Sequence, residues 1–251
     1  MTSAKEVTAV VTGASGTIGG AIAVALAAAG CPVVALGRDD ERLAALAAGI
    51  TAAGGACTTV AAELAGRALP VGRVVLVNAA GVHGPLAPVA EVAVEEWDRV
   101  IGVNLLAAVA RTRAVLPGML ASGWGRIVNV SSAAGVAPAG RFNAPYATSK
   151  AALNRFTAHV AAEVAGTGVT AHALHPGDVV SRMHGDIARQ AAAVPRLAGY
   201  ATWARQTSAH GDDPRAAGRA VVRLLDDAYA HRVNGWFLWP DGDRRTPFPL
   251  G

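Results

Sequence analysis

Two side chains that could transfer a proton, Tyr146 and Lys150, stand four positions apart in the chain. Residues with this spacing lie on one face of a helix, so the phenol and the ammonium would be neighbours. The chain has 22 lysine and arginine residues, yet only Lys5 and Lys150 are lysines. A lone internal lysine indicates a site that needs a compact ammonium rather than a guanidinium. The pair therefore predicts general acid–base chemistry, although a plain surface contact has the same spacing.

An ammonium beside a phenol stabilises the phenolate, so we expect Lys150 to lower the pKa of Tyr146. A free phenol has a pKa of about 10, and lowering it to about 7 requires roughly 4 kcal/mol of differential stabilisation. A desolvated cation a few ångströms away can supply an energy of this size.

A hydroxyl group could lie beside this pair, because Ser131-Ser132 follow the apolar segment Arg126–Val130, which has the pattern of a strand. Ligands of open parallel sheets bind beyond the carboxyl ends of the strands, where Ser132 would stand. A serine at a strand end is, however, more often a turn or cap residue. The absence of a Gly-x-Ser-x-Gly elbow argues against a serine hydrolase. The two cysteines and seven dispersed histidines have no metal-ligand spacing, so we expect no metal.

A glycine-rich turn, Thr12–Gly19, joins the first predicted strand to the first predicted helix. Backbone N–H groups and the positive end of the helix dipole make such a turn a cradle for phosphate. Glycine-rich turns also serve plain packing, but the position after the first strand favours a dinucleotide. At the end of the second strand, Arg38 could pair with a 2′-phosphate and favours NADP(H) over NAD(H). Asp39 and Asp40 beside it weaken this argument.

Strand and helix patterns alternate about seven times, which predicts a doubly wound parallel sheet with helices on both faces. The predicted strands are Val7–Val11, Pro32–Leu36, Cys57–Ala61, Arg73–Asn78, Arg126–Val130, Val169–Leu174 and Gly235–Trp239. The predicted helices are Thr17–Ala29, Asp39–Ala53, Glu91–Leu120, Pro145–Ala165 and Pro214–Asp227. We expect one domain over residues 1–251. Residues 181–213, called the insert below, fit the alternation poorly and are predicted to form a substrate lid.

The composition of the 251 residues excludes several classes of protein. With 52% hydrophobic and only 16% charged residues, the chain is not intrinsically disordered. A net charge of +4 from scattered basic residues does not indicate nucleic-acid binding. The uncharged run 8–37 is long enough for a membrane span, but its glycines divide it into shorter elements. We expect no membrane association, no secretory signal and a reducing, cytoplasmic setting.

The order and spacing of these motifs resemble the classical short-chain dehydrogenases/reductases over nearly the whole chain. The matching segments are Thr12–Gly19, Asn78–Gly81, Trp97 with Val103–Leu105, Ser131-Ser132, Tyr146-x-x-x-Lys150 and His175–Gly177. The resemblance implies a single-domain Rossmann fold. It also implies that Tyr146 is the general acid or base, that Lys150 holds the nicotinamide ribose and lowers the tyrosine pKa, and that Ser132 orients the substrate. Asn104 would hold a water molecule that forms part of a proton relay. The alternative is a structural role, in which the Asn104 amide only forms hydrogen bonds with backbone groups.

The resemblance also implies which residues contact the cofactor. These are Gly13, Ser15, Gly16, Thr17, Ile18, Gly19, Arg38, Glu63, Asn78, Ala79, Gly81, Tyr146, Lys150, Pro176, Gly177, Val179 and Ser181. Three departures from the family pattern qualify this set. Thr17 stands where the middle glycine is usual, the connection from Glu63 to Asn78 is about ten residues short, and the ending Trp236–Asp243 is unusual.

We therefore expect an NADP(H)-dependent oxidoreductase of a ketone or secondary alcohol, with Phe142, Met183, Tyr200 and Trp203 in a hydrophobic substrate pocket. One alternative is a dinucleotide-binding regulatory or structural protein without turnover. A second is an epimerase or dehydratase of the extended branch, which the glycine spacing resembles. Apolar and small residues in the helix Pro145–Ala165 predict a homodimer or homotetramer.

Overall fold

The computed structural model describes residues 7–61 and 69–240 and a short strand at 245–247. Eight strands form one sheet in the order β3-β2-β1-β4-β5-β6-β7-β8. The first seven are parallel, and β8 pairs antiparallel with β7. The strands are β1 (Thr8–Thr12), β2 (Val33–Gly37), β3 (Cys57–Ala61), β4 (Val74–Asn78), β5 (Gly125–Val130), β6 (Val169–Leu174), β7 (Trp236–Leu238) and β8 (Arg245–Pro247).

Nine α-helices connect and cover the strands within the described residues. They are α1 (Thr17–Ala28), α2 (Asp40–Ala52), α3 (Val94–Ile101), α4 (Ala107–Ser122), α5 (Ala144–Glu163), α6 (Arg182–Ala191), α7 (Ala198–His210), α8 (Arg215–Arg223) and α9 (Asp227–Arg232). The predicted doubly wound parallel sheet is thus confirmed. The uncharged run 8–37 is β1, α1 and β2, rather than a membrane span.

The sheet differs from the prediction at both edges. Every residue of β4, β5 and β6 is buried, as continuous apolar strands predict. In β3, by contrast, three of five residues are exposed, because this strand has a neighbour on one side only. The antiparallel β8 was not predicted, and β7 is therefore an inner strand of the sheet.

The predicted helix Glu91–Leu120 is wrong as a single regular helix. It divides into α3 and α4, which are joined by a π-helical turn at Gly102–Leu106. The extra residue of a π turn shifts the faces of the two flanking segments, and such turns are frequent at functional sites. The stretch Val94–Ser122 is long and apolar enough to cross a membrane by length and composition alone, a test that core helices of soluble proteins also pass.

Two other segments each contain two helices where the sequence pattern did not indicate a division. The insert consists of α6, a 3₁₀ turn at Pro195–Leu197 and α7. The predicted helix Pro214–Asp227 is also wrong as one element, since α8 ends at Arg223 and α9 begins at Asp227. The side chain of Asp226 accepts the Tyr229 N–H and so begins a new helix there.

A fully buried arginine joins the amino end of the sheet to α9. The guanidinium of Arg126 donates to the carbonyl oxygens of Leu224, Gly125 and Gly168 at 2.7, 2.8 and 3.0 Å. It also pairs with Asp227, and it lies 4.4 Å from the ring centre of Trp124. Burial lowers the pKa of Arg126 to about 10, although the Asp227 carboxylate opposes this shift.

Candidate active site

Helix α5 places Tyr146 and Lys150 on one face, as their spacing predicted. The helix begins after Asn143, with Pro145 in its first turn, where the missing N–H costs no hydrogen bond. Lys150 is only 4% exposed, and its Nζ lies 5.7 Å from the centre of the Tyr146 ring. The ammonium donates to the Val130 carbonyl oxygen at the end of β5, at 2.8 Å.

Burial dominates the acid–base properties of both side chains. It lowers the pKa of Lys150 to about 8 and raises the pKa of Tyr146. A hydrogen bond from Ser132 opposes the shift of Tyr146, whereas the Asp178 carboxylate adds to it. Loss of hydration therefore destabilises the phenolate more than its neighbours stabilise it, so the Tyr146 pKa is raised overall, and the expected lowering by Lys150 stays a prediction.

The π turn directs Asn104 into the protein, where it is 2% exposed. Its Nδ2 donates to the Val82 carbonyl oxygen and to Ser149 Oγ, each at 2.9 Å. Its Oδ1 accepts the Val82 N–H at 2.8 Å. Ser149 Oγ in turn donates to the Tyr146 carbonyl oxygen at 2.7 Å. The side chain thus satisfies backbone groups beside the catalytic helix, and its place in a proton relay stays a prediction.

The two serines after β5 have different surroundings. Ser132 is hydrogen-bonded to Tyr146, and its Oγ accepts the Ala134 N–H at 3.2 Å. Ser131 is buried and donates to Asn154 Oδ1 at 2.6 Å, which fixes the strand end against α5. Of the two hydroxyls, only that of Ser132 therefore lies beside the phenol.

His83 is a residue of this site to which the sequence reasoning assigned no role, since a solvated or packing histidine near the cleft mouth was the favoured interpretation. Its ring stacks on Tyr146 with a centroid distance of 4.6 Å and an interplanar angle of 26°. The residue is 8% exposed, and burial lowers its pKa. Nδ1 lies 3.3 Å from the Gly84 carbonyl oxygen. The available signal was its position two residues after Gly81, in the loop that leaves the carboxyl end of β4.

The glycine turn is built as a tight junction between β1 and α1. Gly13 has φ +65°, and a Cβ there would lie 2.7 Å from the Ala80 nitrogen. Thr12 Oγ1 accepts the N–H groups of Ala79 and Ala80 at 3.1 and 3.2 Å. Gly16 is the N-cap of α1 and has no side chain to cap the first turn. The N–H groups of that turn are therefore free to bind a phosphate.

The departure at Thr17 does not disturb this turn, because the residue is exposed as the first residue of α1. Arg38 is likewise exposed, directly after β2.

The end of β4 contributes two residues beside this site. Asn78 Nδ2 donates to Asn129 Oδ1 at 2.9 Å, so its amide holds the ends of β4 and β5 together. A Cβ at Gly81 would lie 3.7 Å from Lys150 Nζ, so this glycine leaves space directly beside the ammonium.

A cavity of about 480 Å³ opens above these residues. Predicted cofactor residues line one part of it, namely Ile18, Tyr146, Pro176, Gly177, Val179 and Ser181. Three of the four predicted pocket residues line another part, namely Met183, Tyr200 and Trp203. Phe142 is not in the lining but packs in the apolar cluster that Met183, Tyr200 and Trp203 also join. Glu63 lies outside the described residues.

Residues 7–192, most of the chain, match the model of the short chain dehydrogenase family. The chain belongs to this family. As a short-chain dehydrogenase it is an NAD(P)-dependent oxidoreductase acting on CH–OH and C=O groups, as the sequence predicted. Among the described residues, no group of three or more His, Cys, Asp and Glu side chains could hold a metal ion.

Relatives of this short-chain dehydrogenase are dehydrogenases and reductases. A D-beta-hydroxybutyrate dehydrogenase of Rhizobium meliloti is 37% identical over 187 residues, which are 69% of this chain and 72% of that protein. Matches to other curated relatives cover between 60% and 82% of their lengths.

Two solved structures share the whole architecture. One, assigned as an NAD(P)-dependent gluconate 5-dehydrogenase from Beutenbergia cavernae with bound NADP at low occupancy, is 37% identical with a TM-score of 0.77 and covers 94% of this chain and 95% of its own. The other, a single-residue variant of the actinorhodin polyketide ketoreductase with NADPH, is 30% identical with a TM-score of 0.82 and covers 96% and 98%.

Proposed function

We propose that this short-chain dehydrogenase is an NADP(H)-dependent ketoreductase of a fairly hydrophobic, uncharged ketone or the corresponding secondary alcohol. The observation that supports it best is the arrangement of Ser132, Tyr146 and Lys150 at the end of a cavity with an apolar wall. The insert, whose helices α6 and α7 provide Met183 and Trp203 to that wall, is the proposed substrate lid.

The residues present fit a nicotinamide dinucleotide. The uncapped first turn of α1 would supply N–H donors for the diphosphate, and Lys150, beside the space that Gly81 leaves, would hold the ribose hydroxyls. Arg38 supplies a guanidinium for a 2′-phosphate. When bound, the nicotinamide supplies the hydride in reduction and accepts it in oxidation.

In the reductive direction, negative charge develops on the substrate oxygen, and the chain's own residues must neutralise it. The hydroxyl of Tyr146 donates its proton to that oxygen, and the hydroxyl of Ser132 donates a hydrogen bond to it. The raised pKa of Tyr146 keeps the phenol protonated and able to act as an acid. Lys150, with a pKa of about 8, can take up and release a proton near neutral pH beside the phenol. In oxidation the same groups act in reverse.

The lining of the cavity supports an uncharged substrate. Its described residues include the carboxylate of Asp178 but no arginine or lysine. A substrate carboxylate would therefore meet no arginine or lysine in the lining itself, since Lys150 lies behind it and donates to Val130, and it would have an anion nearby, which is unfavourable. On this ground we distinguish the substrate from the gluconate and hydroxybutyrate for which relatives are named.

A pair of substrate panels tests this proposal. Initial rates of NADPH oxidation are measured with neutral alkyl and aryl ketones and with keto acids of matched length. Neutral ketones are expected to give higher kcat/KM values than their matched keto acids. A preference for the keto acids would overturn the uncharged-substrate proposal. NADPH binding without turnover of any carbonyl would instead favour the non-catalytic alternative.

We also propose that the protein is a homodimer or homotetramer. Much of the apolar surface of α5 is buried within the chain itself, at Leu153 and Val160 among others. Large apolar side chains nevertheless remain exposed on α3 and at α4, for example Val94 (69%) and Leu106 (57%). A single chain mass by light scattering at micromolar concentration would contradict this proposal. A cytoplasmic location, expected from the free thiols of Cys31 and Cys57, is likewise a proposal.

A further inference from the structure

An ion pair joins the insert to the end of β2. Arg182, the first residue of α6, places Nη2 3.3 Å from Asp39 Oδ2, although the two residues are 143 positions apart. Ser181 before it lines the cavity, whereas Asp39 follows Arg38, the residue proposed to bind the 2′-phosphate. The side chain of Arg182 therefore connects a helix that borders the cavity to the end of β2.

Asp39 is bound on both of its oxygens. Oδ1 accepts the Arg42 N–H at 3.2 Å and so caps α2, while Oδ2 also lies 3.4 Å from Arg42 Nε. These contacts, led by the backbone bond from Arg42 and including that from Arg182, lower the pKa of Asp39. Arg38, by contrast, is exposed and forms no ion pair with a described residue.

Without Arg182, the net charge of the residues that follow β2 would disfavour binding of a phosphate. Residues 38–42 contain two arginines, Arg38 and Arg42, against the three carboxylates of Asp39, Asp40 and Glu41. This segment alone is net negative and would repel the doubly charged 2′-phosphate. Arg182 contributes the third guanidinium, which brings the local charge to neutral and leaves Arg38 without a competing net negative field.

The ion pair is not needed to stabilise the fold. The Arg182 side chain is 65% exposed, and ion pairs of this kind contribute little to stability. Breaking the contact with Asp39 is therefore easy, because it is a single hydrogen bond of 3.3 Å, whereas a guanidinium can donate two parallel hydrogen bonds to a phosphate. Arg182 can thus turn from the Asp39 carboxylate to a phosphate beside it without a change of fold.

We propose that Arg182 is a second specificity-determining residue for the cofactor, which binds the adenosine 2′-phosphate together with Arg38 and thereby ties the insert over NADP(H). This inference rests on the proposed dinucleotide site, and it assigns to the insert a contact at the adenosine end besides its role at the substrate. NAD(H), which lacks the 2′-phosphate, would leave Arg182 on Asp39.

Binding of two adenosine probes to the full chain tests the proposal without catalysis. The probes are 2′,5′-ADP, which contains the 2′-phosphate, and 5′-ADP, which does not. Affinities are measured by calorimetry for the wild type, for Arg182→Gln and for a control, Arg189→Gln. Arg189 is also exposed on α6 but, among the described residues, forms an ion pair only with Asp186 of the same helix.

We expect Arg182→Gln to weaken binding of 2′,5′-ADP about tenfold, the loss of one charge-assisted contact, and to change 5′-ADP binding less than twofold. Arg189→Gln should bind both probes as the wild type does. In a further variant, Asp39→Asn, the side chain still caps α2 but no longer competes for Arg182. This variant should bind 2′,5′-ADP more tightly than the wild type, and the gain should shrink when Arg182→Gln is also present.

Two outcomes would overturn the proposed role of Arg182 while leaving the proposed dinucleotide site intact. One is unchanged binding of 2′,5′-ADP by Arg182→Gln, and the other is an equal loss for both probes, which would place Arg182 on the diphosphate. If the wild type binds neither probe, nor NADPH or NADH, the proposed dinucleotide site fails and the inference fails with it. A wild type that binds both probes equally would overturn the NADP preference together with the role of Arg182.

Discussion

Replacing Lys150 by methionine should stabilise the fold at neutral pH while it abolishes catalysis. The ammonium is buried at 4% exposure, and burial lowers its pKa from the ordinary 10.5 to about 8. A shift of this size means that the charged form is less stable in the folded than in the unfolded chain by about 3 kcal/mol. Methionine fills a similar volume without the charge and removes this penalty.

The net gain is smaller, because Lys150 also donates to the Val130 carbonyl oxygen at 2.8 Å. Losing that hydrogen bond costs about 1 kcal/mol. We therefore expect Lys150→Met to raise the free energy of unfolding by about 2 kcal/mol at pH 7.

The difference must also depend on pH, with a definite sign. Between pH 8 and 10.5 the unfolded wild type binds more protons at this position than the folded wild type does, so wild-type stability rises with pH. The methionine variant has no group there to titrate. The advantage of the variant should thus fall from about 2 kcal/mol at pH 7 to nearly zero at pH 10.

Urea unfolding at these two pH values measures both quantities. Arg155→Met is a matched control, since Arg155 is exposed on the same helix and should change stability by less than about 0.5 kcal/mol. A Lys150→Met protein that is less stable than the wild type at pH 7, or whose stability difference is the same at both pH values, would refute the reasoning.

Three other predictions concern positions whose contacts the structure defines. Gly13→Ala should weaken nucleotide binding at least tenfold by calorimetry, because φ is +65° and a Cβ would meet the backbone of Ala80; unchanged binding would contradict this. Asp227→Ala should lower the free energy of unfolding in urea by about 2 kcal/mol, since it leaves the buried guanidinium of Arg126 without its carboxylate. Asn104→Ala should cost about 2 kcal/mol in thermal unfolding, because three hydrogen bonds to Val82 and Ser149 are lost; an unaltered Tm would show that these bonds are dispensable.

The parts of the site that local spacing determines were predictable from the sequence. Tyr146 and Lys150 belong to one helix, so their proximity follows from its period. Ser132 was predictable because a strand end in a parallel sheet fixes which edge it faces. Asn104 was identified only through the family resemblance, because it depends on a π turn that no regular helical period predicts. The position of His83 near the cleft could be considered from the sequence, but its stacking on Tyr146 could not be predicted, since it depends on how the loop after β4 folds over α5.

For the substrate cavity, too, the sequence predicted some lining residues but not the contacts that depend on the tertiary fold. Met183 and Trp203 were identified because they stand out as large side chains in a segment that breaks the strand–helix alternation. Phe142, whose backbone has the rare φ of +70°, packs in the same apolar cluster as Met183 and Trp203 but is not in the cavity lining, and no sequence pattern distinguishes it from them. The contact between Arg182 and Asp39 spans 143 residues, and no sequence pattern predicts it.

The most direct test of the central claim is the rate of hydride transfer in a single turnover, measured for the wild type and Tyr146→Phe with NADPH and the best neutral ketone of the panel. Removing the proton donor should slow this step by about 10²- to 10⁴-fold and leave NADPH affinity unchanged. A Tyr146→Phe protein that reduces the ketone at the wild-type rate would contradict the assignment of Tyr146 as the catalytic acid and, with it, the proposed mechanism.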